Sequence, residues 1–384
     1  MTEKVHARGL EGVIAGETAI CSVEQGALIY RGYEIHDLAE HATFEGVAHL
    51  LLHGEKPTDA QLKAFRERVV SERAVPAPVI DYLRASRGPL AEGSAVPMDV
   101  LRTCVSILAN LDAESQSIDH DANLRKAERL LAKIPTIIGH MQRIIDGKDL
   151  VEPERGGDPA LSHAANLMYL MTGEKPSPEA EKVMDVSLIL YAEHDYNAST
   201  FTGRVIAGTL SDMHGAVTGA IAALKGPLHG GANEAAMEML KEIREHLDKG
   251  GTVRDFMDNA FATKRKLMGF GHRVYKNGDH RAPILHKLGR KMAEAKGADA
   301  VKWFEIGEEV QQIMLKDKQI HPNVDFPCGL TYYTMGIPVP QYTPIFVASR
   351  ITGWAAHIIE QHDNNRLIRP IAQYTGPALR QWNG

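Results

Sequence analysis

Lys225-Gly226-Pro227-Leu228-His229-Gly230-Gly231-Ala232-Asn233-Glu234 is the stretch on which the reading of this chain turns. A rigid Gly-Pro entry and a Gly-Gly turn enclose one histidine. Just beyond it, Ala235, Met239 and Ile243 repeat at helical spacing. An imidazole held at a helix start feels the positive end of the dipole, which disfavours its protonated form. A neutral ring N–H so placed can polarise a carbonyl without giving up a full proton. A turn carrying an incidental histidine fits the same ten residues, so the rest of the chain has to arbitrate.

Outward from that turn the pattern is helical almost throughout. Helices are expected over roughly 204–224, 232–248, 253–267, 283–296, 300–316 and 342–361, where apolar residues recur at helical spacing. Upstream, Thr58-Asp59-Ala60-Gln61 is a capping box, and Pro97 suits a first helical position. Leu124 to Ile145 reads as one long helix with a break or kink at Pro135, and Ser177-Pro178 opens another that ends near His194. Gly54 and Gly173 stand where helices stop. Only the N-terminal region, about Val13 to Ile35, carries extended pieces, at Thr18–Val23 and Ala27–Tyr30. The fold class is therefore mainly α with short N-terminal strands.

The chain has 384 residues, 44% hydrophobic and 24% charged, which suits two domains or one large one. A net charge of −6 gives no reason to expect nucleic acid or an anionic membrane as partner. No apolar run approaches spanning length, and Met-Thr-Glu-Lys-Val-His lacks the pattern of a signal peptide. Three widely spaced cysteines (Cys21, Cys104, Cys328) argue against a disulfide framework and fit a reducing cytoplasm.

Three further segments carry chemistry. Tyr191-Ala192-Glu193-His194-Asp195-Tyr196-Asn197-Ala198-Ser199-Thr200 ends an apolar helix in a cluster of hydrogen-bonding side chains; Asn197 or Ser199 can cap the next helix, while His194 belongs at the buried end of the previous one. Met268-Gly269-Phe270-Gly271-His272-Arg273-Val274-Tyr275-Lys276, with Arg281 nine residues past His272, is a glycine loop among basic residues. Backbone N–H groups there can approach a phosphate-bearing ligand, whereas Lys264 and Arg265 fit a solvated helix end. Asn323-Val324-Asp325-Phe326-Pro327 sets one carboxylate among apolar residues. Desolvation would make Asp325 a stronger base, and a plain helix N-cap is the rival reading. Near the C-terminus, Arg350 and Arg369 lie in apolar surroundings.

Histidines, one carboxylate and three arginines form the inventory. Guanidinium forks match carboxylates, so the substrate expected is small and carries more than one. A carboxylate base facing a histidine donor points to proton abstraction beside a carbonyl. Three arginines would repel a cation, and no short ligand pairing is present, so no metal is expected.

In order and spacing these segments resemble the citrate synthase family. The matching motifs are His194–Thr200, Leu228–Glu234, Gly269–Lys276, Asp325-Phe326-Pro327, Ser349-Arg350 through Gly353-Trp354, and Arg369-Pro370. The likeness extends from Gly9 to Gly376. It implies condensation of acetyl-CoA with oxaloacetate and hydrolysis of the resulting thioester to citrate and CoA. By that pattern Asp325 is the base, His229 stabilises the enol and His272 acts on the keto oxygen. His194, Arg281 and Arg350 would hold oxaloacetate, with Arg369 supplied across a homodimer. Lys266, Met268, Gly269, Phe270, Gly271 and Lys276 would touch CoA, and no metal or redox cofactor would take part. Residues 1–230 with 337–384 would form a large domain and 231–336 a smaller mobile one. 2-Methylcitrate synthases share these motifs and use propionyl-CoA; one methylene is worth only about 1–3 kcal/mol. An inert helical scaffold is a third reading. Asp279-His280-Arg281 stands where the family often has Asp-Pro-Arg, and Val96 where it often has His. The larger members' N-terminal domain has no counterpart, which points to the small dimeric type.

Overall fold

A computed structural model describes residues 7–23, 27–272, 274–275 and 277–382. Three two-residue strands, β1 Cys21–Ser22, β2 Ile29–Tyr30 and β3 Tyr33–Glu34, form an antiparallel sheet in that order. Arg31 and Gly32 join β2 to β3 with positive φ at both (47° and 90°), as a tight hairpin turn requires. The third strand was not among the expected extended pieces; Arg31-Gly32 is its sequence signal.

Seventeen α-helices follow among the described residues. The first six are α1 Ile35–His41, α2 Phe44–His53, α3 Asp59–Ser71, α4 Ala77–Ala85, α5 Arg87–Ala91 and α6 Pro97–Leu111. Next come α7 His120–Ile145, α8 His163–Thr172, α9 Pro178–Tyr191, α10 Ala198–Ala207 and α11 Met213–Leu224. The last six are α12 Ala232–Asp248, α13 Val253–Ala262, α14 Arg281–Lys296, α15 Ala298–Lys318, α16 Asp325–Met335 and α17 Tyr342–Asp363. The mainly α fold class stands.

Local chemistry sets many of the boundaries. Thr58 and Gln61 form the expected capping box of α3. Gly54 and Gly173 end α2 and α8 in the left-handed region (φ 88° and 83°). Two expectations fail. The helix read over 204–224 is two, because the chain turns after Ala207 and Asp212 caps α11 by accepting from Gly215 N–H at 3.0 Å. And α7 runs unbroken through Pro135. That proline is buried, and its flanks Ile134, Ile137 and Ile138 are fully buried against other helices, so packing outweighs the lost backbone hydrogen bond.

The core is built around α17, which buries nearly every residue from Tyr342 to Ile359 against α7, α10, α9, α2 and α11. A helix apolar on all sides belongs in such a place. The small sheet feeds the same core. Tyr30 is buried, and its hydroxyl donates to the carbonyl of Glu193 at 2.9 Å, pinning the chain just after α9. Residues 364–382 follow α17 without helix or strand, leaving Leu367, Ile371, Tyr374, Leu379 and Trp382 exposed. Cys21, Cys104 and Cys328 are buried free thiols. No helix among the described residues is long and apolar enough to cross a membrane.

Candidate active site

The C-terminal end of α9, the N-terminal end of α16 and the first half of α17 converge with the turn before α12 and the loop before α14. Asp325 is the first residue of α16, and Val324 takes the N-cap place, so capping is not what the carboxylate does. Its Oδ1 accepts from the Tyr191 hydroxyl at 2.8 Å. Burial pushes the Asp325 pKa up to about 6, against the lowering pull of that hydrogen bond and of Arg281.

A chain of aromatic neighbours runs from this carboxylate to His229. Tyr191 packs edge-on against Phe346 with centroids 4.3 Å apart, and Phe346 lies 6.4 Å from the His229 ring. Ser199 N–H donates to His229 Nε2 at 3.3 Å, and the Ser199 hydroxyl lies 2.8 Å from the same nitrogen. A backbone N–H can only donate, so Nε2 accepts and Nδ1 carries the proton. The His229 pKa falls to about 3, first because of burial and then because of the Arg350 charge. The neutral imidazole expected from the sequence is present, but burial rather than the helix dipole is its principal cause.

His272 and His194 form a second pair, with rings 5.0 Å apart. His272 Nδ1 accepts from the N–H groups of Val274 (3.1 Å) and Tyr275 (3.2 Å), which leaves Nε2 as its proton-bearing nitrogen. His194 is buried, and its Nε2 lies 3.0 Å from the Tyr275 hydroxyl. Burial, then Arg281, His272 and Arg350, hold it well below the ordinary histidine range.

Two of the three expected arginines are here. Arg281 opens α14 and forms a fork with Asp279, Nε to Oδ1 at 2.9 Å and Nη2 to Oδ2 at 2.8 Å. Burial is the largest single influence and would lower its pKa, but the charge and hydrogen bond of Asp279, with Tyr275 and Tyr30, together outweigh it and raise it. Arg350 lies on α17, 1% exposed, with Nε donating to the Tyr191 carbonyl at 2.6 Å and its guanidinium 4.7 Å from the Phe346 ring centroid. Among the described residues no carboxylate lies within ion-pair distance of it; the fully buried Glu193 acts on it from further away. Glu193 Oε1 is bonded to His357 Nε2 at 2.9 Å. Arg369 is different. It lies exposed in the C-terminal segment and its own chain does not bring it to the cluster, so the apolar setting read from its neighbours in sequence is not realised in a single chain.

The glycine loop is tied to the segment preceding Asp325. Gly271 N–H donates to His321 O at 2.8 Å, Asn323 N–H to Gly269 O at 3.0 Å, and Asn323 Nδ2 to Gly271 O at 2.9 Å. Gly269 and Gly271 both have positive φ (81° and 76°), and a Cβ on Gly269 would come 2.9 Å from Phe326 Cβ, so the first glycine is required by both conformation and space. The Phe270 ring lies tilted against that of Phe326 with centroids 4.6 Å apart, Met268 is half-buried and Lys266 is exposed. Lys276 lies outside the described residues. No group of three or more His, Cys, Asp or Glu among the described residues could hold a metal.

Four contributors escaped the sequence reading: Tyr191, Ser199, Tyr275 and Asp279. All lie inside or beside the motifs quoted above, but what gives them a role is a partner distant in sequence, as with Tyr191 and Asp325.

Comparison with known proteins bears on the whole chain. The family described as "Citrate synthase, C-terminal domain" matches residues 9–371. Citrate synthase 2 of Bacillus subtilis is 43% identical over 96% of each chain. The 2-methylcitrate synthase of Shewanella oneidensis is 44% identical over 99% of this chain and 97% of its own. Among solved structures, citrate synthase from Pyrobaculum aerophilum superposes with a TM-score of 0.86 at 37% identity, covering 98% of this chain and 94% of that one. Citrate synthase from Thermoplasma acidophilum, in a ternary complex with carboxymethyl coenzyme A and oxaloacetate, gives 0.87 at 34% identity, with 98% of each chain covered. With sequence, fold and motif order in agreement over nearly its full length, the chain belongs to the citrate synthase family.

Proposed function

We propose that this enzyme condenses a short-chain acyl-CoA with oxaloacetate and hydrolyses the product thioester, releasing CoA. Asp325 takes the proton from the thioester's α-carbon. His229 donates from Nδ1 to the thioester oxygen as the enol forms, and the nucleophilic carbon attacks the keto carbon of oxaloacetate. His272 donates from Nε2 to the keto oxygen as it becomes a hydroxyl. Water then cleaves the thioester, leaving a tricarboxylate and the CoA thiol. His194, Arg281 and Arg350 hold oxaloacetate, and Arg369 reaches the site from a second copy of the chain in a homodimer. Lys266, Met268, Gly269, Phe270, Gly271 and Lys276 contact CoA. Residues 231–336 move as a smaller body over the rest, hinged at Gly230-Gly231 and near Gly336.

The observation that carries this reading is a buried, raised-pKa carboxylate grouped with neutral imidazoles and buried arginines. A thioester α-C–H is a very weak acid, and a positioned donor to the developing enolate is worth roughly 3–4 kcal/mol. Acetyl-CoA, giving citrate, is the first donor. Propionyl-CoA, giving 2-methylcitrate, is favoured as a second reading by relatives of both kinds at about equal identity. Oxaloacetate-dependent thiol release, measured with each donor in turn, tests the proposal. Faster turnover per unit concentration with propionyl-CoA reverses the order of donors, and no release with either leaves an inert scaffold. Asp325→Ala is expected to lower kcat by several orders of magnitude while oxaloacetate still binds, as read by calorimetry.

A further inference from the structure

Asp279 touches neither His229 nor the carboxylate of Asp325, yet it uses every hydrogen-bonding direction it has. Its Oδ1 accepts from Arg281 Nε at 2.9 Å and from Arg281 N–H at 3.1 Å. Its Oδ2 accepts from Arg281 Nη2 at 2.8 Å and from the Val324 N–H at 3.0 Å. Four donors meet the roughly four lone-pair sites of a carboxylate, and the side chain is fully buried.

The fourth bond is the informative one. Val324 is the N-cap of α16, so its N–H lies one residue before the base. Asn323 Oδ1 accepts the next N–H, that of Asp325 itself, at 3.0 Å, while Asn323 Nδ2 reaches Gly271 beside His272. The start of α16 is thus held by two side chains, one joined to Arg281 and the other to the loop of His272.

We propose that Asp279 is a positioning residue that locks the Arg281 guanidinium and the first turn of α16 into one arrangement, so that the oxaloacetate clamp and the base are aligned together. This rests on the roles given above to Arg281 and Asp325. An asparagine has one carbonyl oxygen in place of two carboxylate oxygens, and its NH2 group would face two of the four donors. Asp279→Asn therefore breaks about half of the arrangement while keeping its volume.

The charge adds a readout that simple loss of packing would not move. Asp325 is faced by Tyr191 from α9, Arg281 from α14, Arg350 from α17, Cys328 on its own helix, and Asp279. Asp279 is the carboxylate among these, and its negative charge favours the protonated base. Removing it makes Asp325 more acidic, so the acid limb of the kcat–pH profile moves to lower pH.

The test compares wild type, Asp279→Asn and Asp279→Glu in the full-length protein, with circular dichroism as the check on folding. For Asp279→Asn, kcat is expected to fall about 100-fold, the order expected for a misplacement of about 1 Å, with a raised KM for oxaloacetate and a downshifted acid limb. Asp279→Glu keeps the charge, so its acid limb stays in place while kcat still drops. If the asparagine variant does not fold, the glutamate variant carries the test, and a wild-type kcat there overturns the proposal. Failure of both to fold assigns Asp279 to stability alone and also overturns it. An active wild type whose Asp279→Asn variant keeps its kcat, KM and pH profile sinks this inference only. A wild type that releases no CoA sinks the functional reading beneath it.

Discussion

Asp325 and Tyr191 show how much one hydrogen bond can set. With Asp325 as the proposed base and its carboxyl pKa near 6, turnover should fall as pH drops through that value, because the protonated carboxyl could not accept the α-proton. The Tyr191 hydroxyl pulls that pKa down, so Tyr191→Phe should raise it and move the acid limb to higher pH. A pH profile of kcat for the two proteins decides the point; superimposable acid limbs would count against the tyrosine's role. The same elevation has a cost in stability. Between the ordinary value of 3.8 and about 6 the folded chain binds the Asp325 proton more tightly than the unfolded chain does, so this group's contribution to folding weakens as pH rises through that window. At this scale the sequence was readable where chemistry is confined to a motif. His229, His272, Asp325, Arg281 and Arg350 stand out because glycines, prolines or apolar runs frame them. Tyr191 and Asp279 did not, because an aromatic at a helix end and an acid beside an arginine look ordinary until the residues 134 and 45 positions away are brought to them.

Helices were legible in proportion to how local their signals are. The capping box at Thr58 and the stop at Gly173 need only their neighbours, and both were found where expected. Pro135 and the turn between α10 and α11 were misread for opposite reasons: burial overrode a local breaker in one, and a local cap at Asp212 overrode apolar periodicity in the other. Where α9 meets α17 the fit is tight. Gly353 N–H donates to Ala192 O at 3.2 Å, and a Cβ there would overlap Glu193 Oε2 and lie 2.5 Å from Ala192 O. Gly353→Ala should therefore cost about 1–3 kcal/mol, seen as a lower Tm. On the roles proposed for His194 and Arg350 it should also weaken oxaloacetate binding, since Glu193 adjoins His194 and its charge acts on Arg350. An unchanged melting curve would mean that the two helices part without strain.

For the whole molecule the C-terminal segment is the part a single chain leaves unfinished. Five large apolar residues, Leu367, Ile371, Tyr374, Leu379 and Trp382, are each more than half exposed within a short span. Water would not be left in contact with such a strip if a second copy could cover it. Sedimentation equilibrium should return about twice the 42.2 kDa chain mass, and removal of residues 366–384 should shift it toward one chain. A full-length monomer would remove the proposed route for Arg369. Composition and periodicity could announce a helical protein; they could not show that Leu367, Ile371, Tyr374, Leu379 and Trp382 stay exposed on their own chain.

The three cysteines bear on how turnover can be watched. Burial lifts all three thiols, Cys104 and Cys328 to about 12 and Cys21 well above its usual value, so almost none is thiolate at neutral pH. Ellman's reagent added to the native protein should stay nearly colourless, and every increment of yellow during an assay then comes from liberated coenzyme. Denaturing the same sample should release three equivalents per chain, an internal ruler for enzyme concentration in the very cuvette where the rate is read.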